Sequence, residues 1–223
     1  MTSSSLPAES LRFLRDLAAH NDKAWFSANR DRYERDLLAP AKELAEAVGR
    51  ELVSPFPEIT GGALTRLHRD VRFSKDKQPF HTHIGVHYWH REGRKMEVPG
   101  FFLRIDAKQL LLGTGLHQPE PDVLRRIRVA IDKDPKGWQR AARDKAFLRT
   151  WGGLDGESLK RVPAPWATDH PDANDLKRKD FTAFLTLPAA EATKPRFANL
   201  AAGHWRDSAP LMAFLFRAMG LKA

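Results

Sequence analysis

The stretch Ile84-Gly85-Val86-His87-Tyr88-Trp89-His90, with Phe101-Phe102-Leu103-Arg104-Ile105-Asp106 and Leu110-Leu111-Leu112 behind it, decides how this chain folds. Side chains on a strand point alternately to two faces, so a period of two in polarity marks a sheet with one face buried. Phe101, Leu103 and Ile105 share one parity and Phe102, Arg104 and Asp106 the other. The segment from Ile84 alternates in the same way. The connections between these runs are too short for a helical crossover, which predicts consecutive antiparallel neighbours. Upstream, from Ala63, the same period places Leu67 and Val71 on one face and Arg66, His68 and Asp70 on the other, and predicts a further strand. Downstream, Phe181 to Leu187 reads as a short one.

Around this centre the period changes to that of helices. Leu11, Leu14, Leu17 and Ala18 recur at three- and four-residue spacing, with Ser5 as the expected cap and Pro7 in the first turn. Trp25, Phe26, Tyr33, Leu37 and Leu38 continue the pattern to Leu44, Ala45, Val48 and Leu52, with a kink or division expected at Pro40. Ser54-Pro55-Phe56-Pro57 ends it. Helices are expected again from Glu120 to Ile131, over 138–149 and from Leu211 to Met219, with a Gly- and Pro-rich loop over 152–175. Helix, then strand, then helix predicts an α+β fold: a central, mainly antiparallel sheet flanked by N-terminal, middle and C-terminal helices. Residues 1–6 are expected as a disordered tail and 7–223 as one domain.

Composition narrows function before any motif does. The chain has 223 residues and no cysteine, which removes disulfides, thiolate metal sites and cysteine nucleophiles. It has no apolar run of the ~20 residues that cross a bilayer, and Met1 to Pro7 lacks the basic and apolar regions of a secretory signal. A soluble, cytoplasmic protein with no membrane partner is the expectation. The net charge is +9, and it is unevenly placed: −2 over residues 1–65, +9 over 66–149 and +2 over 150–223. Attraction to an anionic partner is therefore expected from the middle segment.

That segment holds the densest polar run, Arg69-Asp70-Val71-Arg72-Phe73-Ser74-Lys75-Asp76-Lys77-Gln78-Pro79-Phe80. Arginine forks take phosphate or carboxylate in a bidentate manner, lysine adds a mobile charge, and carboxylates orient the cations. Arg69, Arg72, Ser74, Lys75 and Lys77 are the candidate anion ligands, with Asp70 as a candidate acid or base. Val71 and Phe73 are expected to pin the segment to the core. The alternative is a solvated turn whose charges pair among themselves. A second basic group, Lys160-Arg161 and Lys177, flanks His170, which is the other candidate for proton transfer because an unperturbed imidazole titrates near neutral pH. If the two loops meet over the sheet, Lys160, Arg161 and Lys177 join Arg69 and Arg72 around one ligand.

The run from Arg69 to Phe80 also resembles a signature of the bacterial family known as domain of unknown function 2461. Trp25-Phe26 with Asn29 and Tyr33, Gly113-x-Gly115 before Pro119-Glu120-Pro121, Leu124 with Ile127-Arg128, Gly153-Leu154-x-Gly156, Leu159-Lys160-Arg161-x-Pro163, His170-Pro171 and Leu176-Lys177-x-Lys179-x-Phe181 agree in order. The resemblance runs from about residue 10 to 217 and implies shared architecture, without a reaction. Where the family pattern has Lys or another polar residue after the Pro-aromatic pair, this chain has His81.

Other features carry weaker chemistry. His81, His83, His87 and His90 invite a metal, yet His83 and His87 lie about 13 Å apart along a strand, too far for one ion, so no metal is expected. No cofactor is expected either. Gly113-Thr114-Gly115-Leu116-His117 joins a strand to a helix; it reads as a structural corner or as a ligand-lining loop, and Glu120 and Asp122 oppose an anion there. Six tryptophans are mostly core anchors, but Trp89 and Trp166 could stack on a base. The resulting expectation is a basic, anion-binding cleft for a phosphorylated or carboxylated small molecule, possible enzyme activity included. The alternatives are a nucleic-acid-binding accessory protein, in keeping with pI ≈ 10.0, and an interaction module without chemistry.

Overall fold

The computed structural model describes residues 4–94 and 97–223. Five strands form one sheet in the order β1 to β5, every neighbour antiparallel: β1 (Ile59–Leu64), β2 (His83–His90), β3 (Gly100–Asp106), β4 (Gln109–Leu116) and β5 (Phe181–Pro188). The antiparallel, consecutive pairing follows from the short β2–β3 and β3–β4 links. Helices precede the sheet, as α1 (Ala8–Ala19), α2 (Lys23–Ala28), α3 (Arg30–Tyr33) and α4 (Ala39–Val53). Between β4 and β5 come α5 (Pro121–Lys133), α6 (Pro135–Ala142), α7 (Lys145–Trp151) and the single turn α8 (Ala173–Leu176). Then α9 (Phe197–Arg206) and α10 (Ala209–Ala218) close the chain. The fold is α+β. Among the described residues no helix is long and apolar enough to cross a membrane.

One face of the sheet is the core. Val86, Tyr88, Phe101, Leu103, Ile105, Leu110, Leu112 and Ala183 share it and are buried together with side chains of α1, α4, α5, α9 and α10. The polar groups on this face are paired: Tyr88 Oη donates to Ala45 O of α4 at 2.8 Å, Thr114 and Ser208 hydroxyls lie 2.9 Å apart, and Trp205 Nε1 donates to Gly113 O at 3.0 Å. Pairing these hydroxyls and the indole removes the cost of burying them unbonded.

Pro40 acts as expected, through a specific device. It has no N–H for the Asp36 carbonyl, and the helix runs as a π-turn over Glu34–Leu38 just before it. The buried Ser10 hydroxyl of α1 takes up that carbonyl at 2.5 Å, stapling the two helices. The region expected as one helix over 138–149 is two, because Asp144 accepts from Ala146 and Phe147 N–H and starts α7 afresh. Ser5 does not cap α1; Pro7 holds that position and makes no side-chain bond. α9 escaped the apolar pattern because its buried face is largely Ala198, Ala201 and Ala202. Of the expected tail, residues 1–3 lie outside the described residues, whereas Leu6 is buried and donates its N–H to Ala192 O.

The strand expected from Ala63 is displaced. β1 ends at Leu64, after a register slip between Gly61 and Ala63, and the last backbone bond to β2 is Thr65 N–H to Gly85 O. Residues 65–82 then fold back on themselves, joined by an isolated bridge between His68 and Phe80. The alternation over Leu67 and Val71 is that of a loop hairpin, whose partner strand is its own return arm.

Candidate functional site

The charged loop is built on Phe80. Its buried ring stacks on Phe26 of α2 at 4.4 Å, and Asn21 grips its backbone from both sides, at 2.9 and 3.1 Å. Phe73, expected as the core anchor, is 95% exposed, which corrects that expectation. Its ring lies under the Arg72 guanidinium, 5.8 Å away, at the tip of the loop. Five of the loop's charged side chains bond within it. Arg69 bonds Asp76 at 2.5 Å and Gln78 O at 3.2 Å; Arg72 bonds Asp70 at 2.6 Å; Lys77 Nζ donates to Val71 O at 3.0 Å. The Arg72 side chain holds the Asp70 carboxyl below its usual range, and the Gln78 N–H and Arg69 do the same for Asp76. Ser74 Oγ lies 3.5 Å from Arg69, and Lys75 is exposed.

The second basic group is fastened elsewhere. Arg128 of α5 donates to Leu176 O and Arg178 O, Trp138 Nε1 donates to Asp175 at 2.8 Å, and Gln139 and Arg143 hold the buried Asp172. His170 uses both ring nitrogens. Nδ1 accepts from Asp172 N–H at 3.0 Å, so the proton sits on Nε2, which faces Asp132 at 3.3 Å. Lys160 and Arg161 are exposed, and Lys177 is half-buried with its carbonyl accepting from Leu159 N–H. This loop reaches the sheet at β5, through Asp155 and Thr182, whereas residues 65–82 connect β1 to β2 at the opposite edge. Four strand spacings separate those edges, on the order of 19 Å. Among the described residues no hydrogen bond or ion pair joins the two loops. Arg69 and Arg72 thus stand at one edge of the sheet, and the loop carrying Lys160, Arg161 and Lys177 joins it at the other.

What the sheet carries is on its other face. The registers stack residues in cross-strand rows: Trp89, Gly100, Gly115 and Thr182; His87, Phe102, Gly113 and Phe184; Gly85, Arg104, Leu111 and Thr186. The first two rows, with Leu111 and the buried Val98, line a cleft of about 320 Å³. Glycines make it concave. A Cβ at Gly113 would meet the Phe184 ring at 3.0 Å, so the ring lies across bare backbone, while His87 packs on Phe102 at 4.5 Å. Within its wall Thr182 is 4% exposed, and its hydroxyl has no hydrogen-bond partner among the described residues. A volume above about 300 Å³, apolar walls and few polar groups are the marks of a small-molecule site.

The cleft has chemically different ends. At one end, in the same cross-strand row as Leu111, stands Arg104, exposed and with no side-chain hydrogen bond or ion pair among the described residues. His81 and His83 lie next to it, rings 5.0 Å apart. Burial, then the charges of Arg104 and His81, push the His83 pKa down to about 4; burial, Arg69 and Arg104 lower that of His81. Among the described residues no group of three or more metal-ligating side chains surrounds the pair. At the other end β4 passes Leu116 and places His117 in the cleft wall, where its Nδ1 lies 3.0 Å from the buried Asp180. The Gly113-Thr114-Gly115 run is neither a corner nor a loop: it is the last part of β4, and it lines the cleft.

Phe102, Phe184, Asp180 and Thr182 were not candidates in the sequence. The signal for them was aromatic residues on the polar parity of two strands, opposite glycine, which becomes informative only once the register aligns Phe102, Gly113 and Phe184. A family model described as conserved hypothetical protein (DUF2461) matches residues 9–214. No curated protein and no solved structure matches the chain.

Proposed function

We propose, on the premise that this chain belongs to the DUF2461 family of conserved hypothetical proteins, that it binds an elongated small molecule with an apolar body and an anionic end on the open face of its sheet. The observation that carries this is the apolar cleft of about 320 Å³, whose lining residue Leu111 pairs across the sheet with Arg104, a cation whose side chain has no partner among the described residues. A carboxylate or phosphate at that end would meet Arg104, with Arg69, held by Asp76, adding positive field through the neighbouring His81. The apolar body would displace water from Phe102, Phe184 and Leu111, which is favourable at roughly 25 cal/mol per Å². Arg72, Asp70 and Lys77 belong to the loop's internal bonding and contribute at most through its field. The loop of His170, Lys160, Arg161 and Lys177 joins the sheet at β5, the edge remote from the charged loop, and this reading does not use them.

Titration with anilinonaphthalene sulfonate, an apolar fluorophore carrying one fixed negative charge, tests this. The expected result is saturable enhancement weakened by Arg104→Ala and by Phe184→Ala. Binding unchanged in both variants overturns the reading.

Nucleic acid is a second occupant to consider, because half-buried Trp89, Phe102 and Phe184 on an antiparallel face resemble a stacking platform. The concavity favours the small molecule: successive bases need a face open along its length, whereas Phe184 closes over Gly113.

A further inference from the structure

We propose that His117, oriented by Asp180, is a general base that hydrolyses an ester bound in the cleft, which deepens the reading above and rests on it. The last strand pair of β4 and β5 is Leu116 with Phe181, and Gly115 pairs with Thr182. Continuing the register by one residue sets His117 opposite Asp180, on the face that carries Gly115 and Thr182. Side chain and ladder therefore agree: both residues belong to the open face, at the end of the cleft remote from Arg104.

Asp180 is locked in place. Its Oδ1 accepts from Gln118 N–H at 2.7 Å and lies 3.0 Å from His117 Nδ1, and its Oδ2 accepts from Glu157 N–H at 3.0 Å. Gly156, at φ +102°, lies so close that a Cβ there would come within 2.4 Å of the Asp180 Cβ. An ionised carboxylate only accepts, so the proton of neutral His117 sits on Nδ1 and Nε2 presents a lone pair. Among the described residues Nε2 has no partner, and the ring is about half exposed, at 51%. His170, by contrast, spends its lone pair on Asp172 N–H. Of the two histidines, His117 is the one able to accept a proton from outside.

The pair supplies a proton acceptor, and water is the one co-reactant the reaction requires. His117 Nε2 takes a proton from water as its oxygen bonds to the acyl carbon. The carbon–oxygen bond to the leaving alcohol then breaks, and the alcohol leaves with the proton that His117 held. Ester and water become acid and alcohol. From the Leu111 row to His117 is six residues of strand, on the order of 20 Å, so the substrate class is an ester on an apolar chain whose other end is anionic.

The mono-p-nitrophenyl ester of sebacic acid has that composition and releases a coloured phenol. With the full chain, turnover should saturate and exceed that of an equal concentration of free imidazole. His117→Ala should lower kcat/KM about 100-fold or more while still binding anilinonaphthalene sulfonate, and Asp180→Asn should lower kcat more than it changes KM. Because Asp180 also ties two backbone N–H groups, nitrogen NMR of the His117 ring gives an independent readout, with the proton on Nδ1 in the wild type. No turnover above imidazole, turnover retained in His117→Ala, or a proton on Nε2 would each overturn the proposal. Loss of fluorophore binding by the wild type would instead overturn the cleft itself.

Discussion

The loop from 65 to 82 and the open face of β2 to β5 make opposite use of their residues. The loop concentrates charge, yet Arg69, Arg72, Asp70, Asp76 and Lys77 spend it on one another and on backbone carbonyls. The sheet face carries few charges, but the Arg104 side chain has no partner among the described residues and His117 keeps a lone pair. Density of functional groups is a poor guide to a site where opposite charges alternate in sequence, because neighbours neutralise each other first. Availability is the better guide, and availability depends on tertiary placement.

The sharpest way to break the comparison is to ask what each ring in the loop supports. Phe80→Ala removes a buried ring from its stack on Phe26 and should cost roughly 3–5 kcal/mol. Phe73→Ala removes an exposed ring and should stay within about 0.5 kcal/mol of wild type. Urea unfolding of both variants decides it; a Phe73→Ala loss as large as that of Phe80→Ala would mean that the loop tip is packed in solution.

Next in size is the cleft. Phe184→Ala uncovers Gly113 and removes one wall, and the affinity for anilinonaphthalene sulfonate should fall about tenfold, the equivalent of ~1.4 kcal/mol. An equal fall in Arg72→Ala and none in Phe184→Ala would return the site to the loop.

These two regions also differ in how far they could be read from sequence. The parity of Phe101, Leu103 and Ile105 is a local property, so the sheet, its antiparallel order and its core face were legible. The loop's departure from strand was not, because Leu67 and Val71 alternate in a hairpin arm as they would in a strand. Phe73 misled for a related reason: an aromatic between charges looks like an anchor unless Phe80, seven residues on, is known to take that place. The Asp180–His117 pair joins residues 63 apart in sequence, and only the β4–β5 register brings them together.

A smaller effect concerns pH. The folded His83 pKa lies at about 4, below its unfolded value near 6.5. Between those limits the unfolded chain binds a proton that the folded chain refuses, so stability is full above pH 6.5 and declines as pH falls towards 4. Proton NMR should place the His83 midpoint near 4, and Arg104→Ala should raise it by removing the second-largest cause while burial remains. A midpoint unmoved by Arg104→Ala would show that the arginine does not face the histidine, and the anionic end of the cleft would lose its support. Nucleic-acid binding belongs at this scale too. Short single strands should bind weakly, with affinity falling by about one log unit per log unit of salt for each phosphate contact, and tight salt-insensitive binding would displace the small-molecule reading.

The smallest expected effect is the most direct test of what the charged loop is for. Arg72 and Asp70 are exposed, 77% and 60% for their side chains, and pair with each other across a single residue. Arg72→Ala frees Asp70 to water at little cost, so the melting temperature and fluorophore affinity should both stay near wild type. The double variant Arg72→Ala, Asp70→Asn should match the single one, because among the described residues neither has a second partner outside its own loop. If Arg72→Ala alone abolished binding and the double variant restored it, the liberated Asp70 charge would be repelling the ligand's anionic end. The loop would then act on the cleft through its field, and its internal pairing would be a means of keeping Asp70 neutralised.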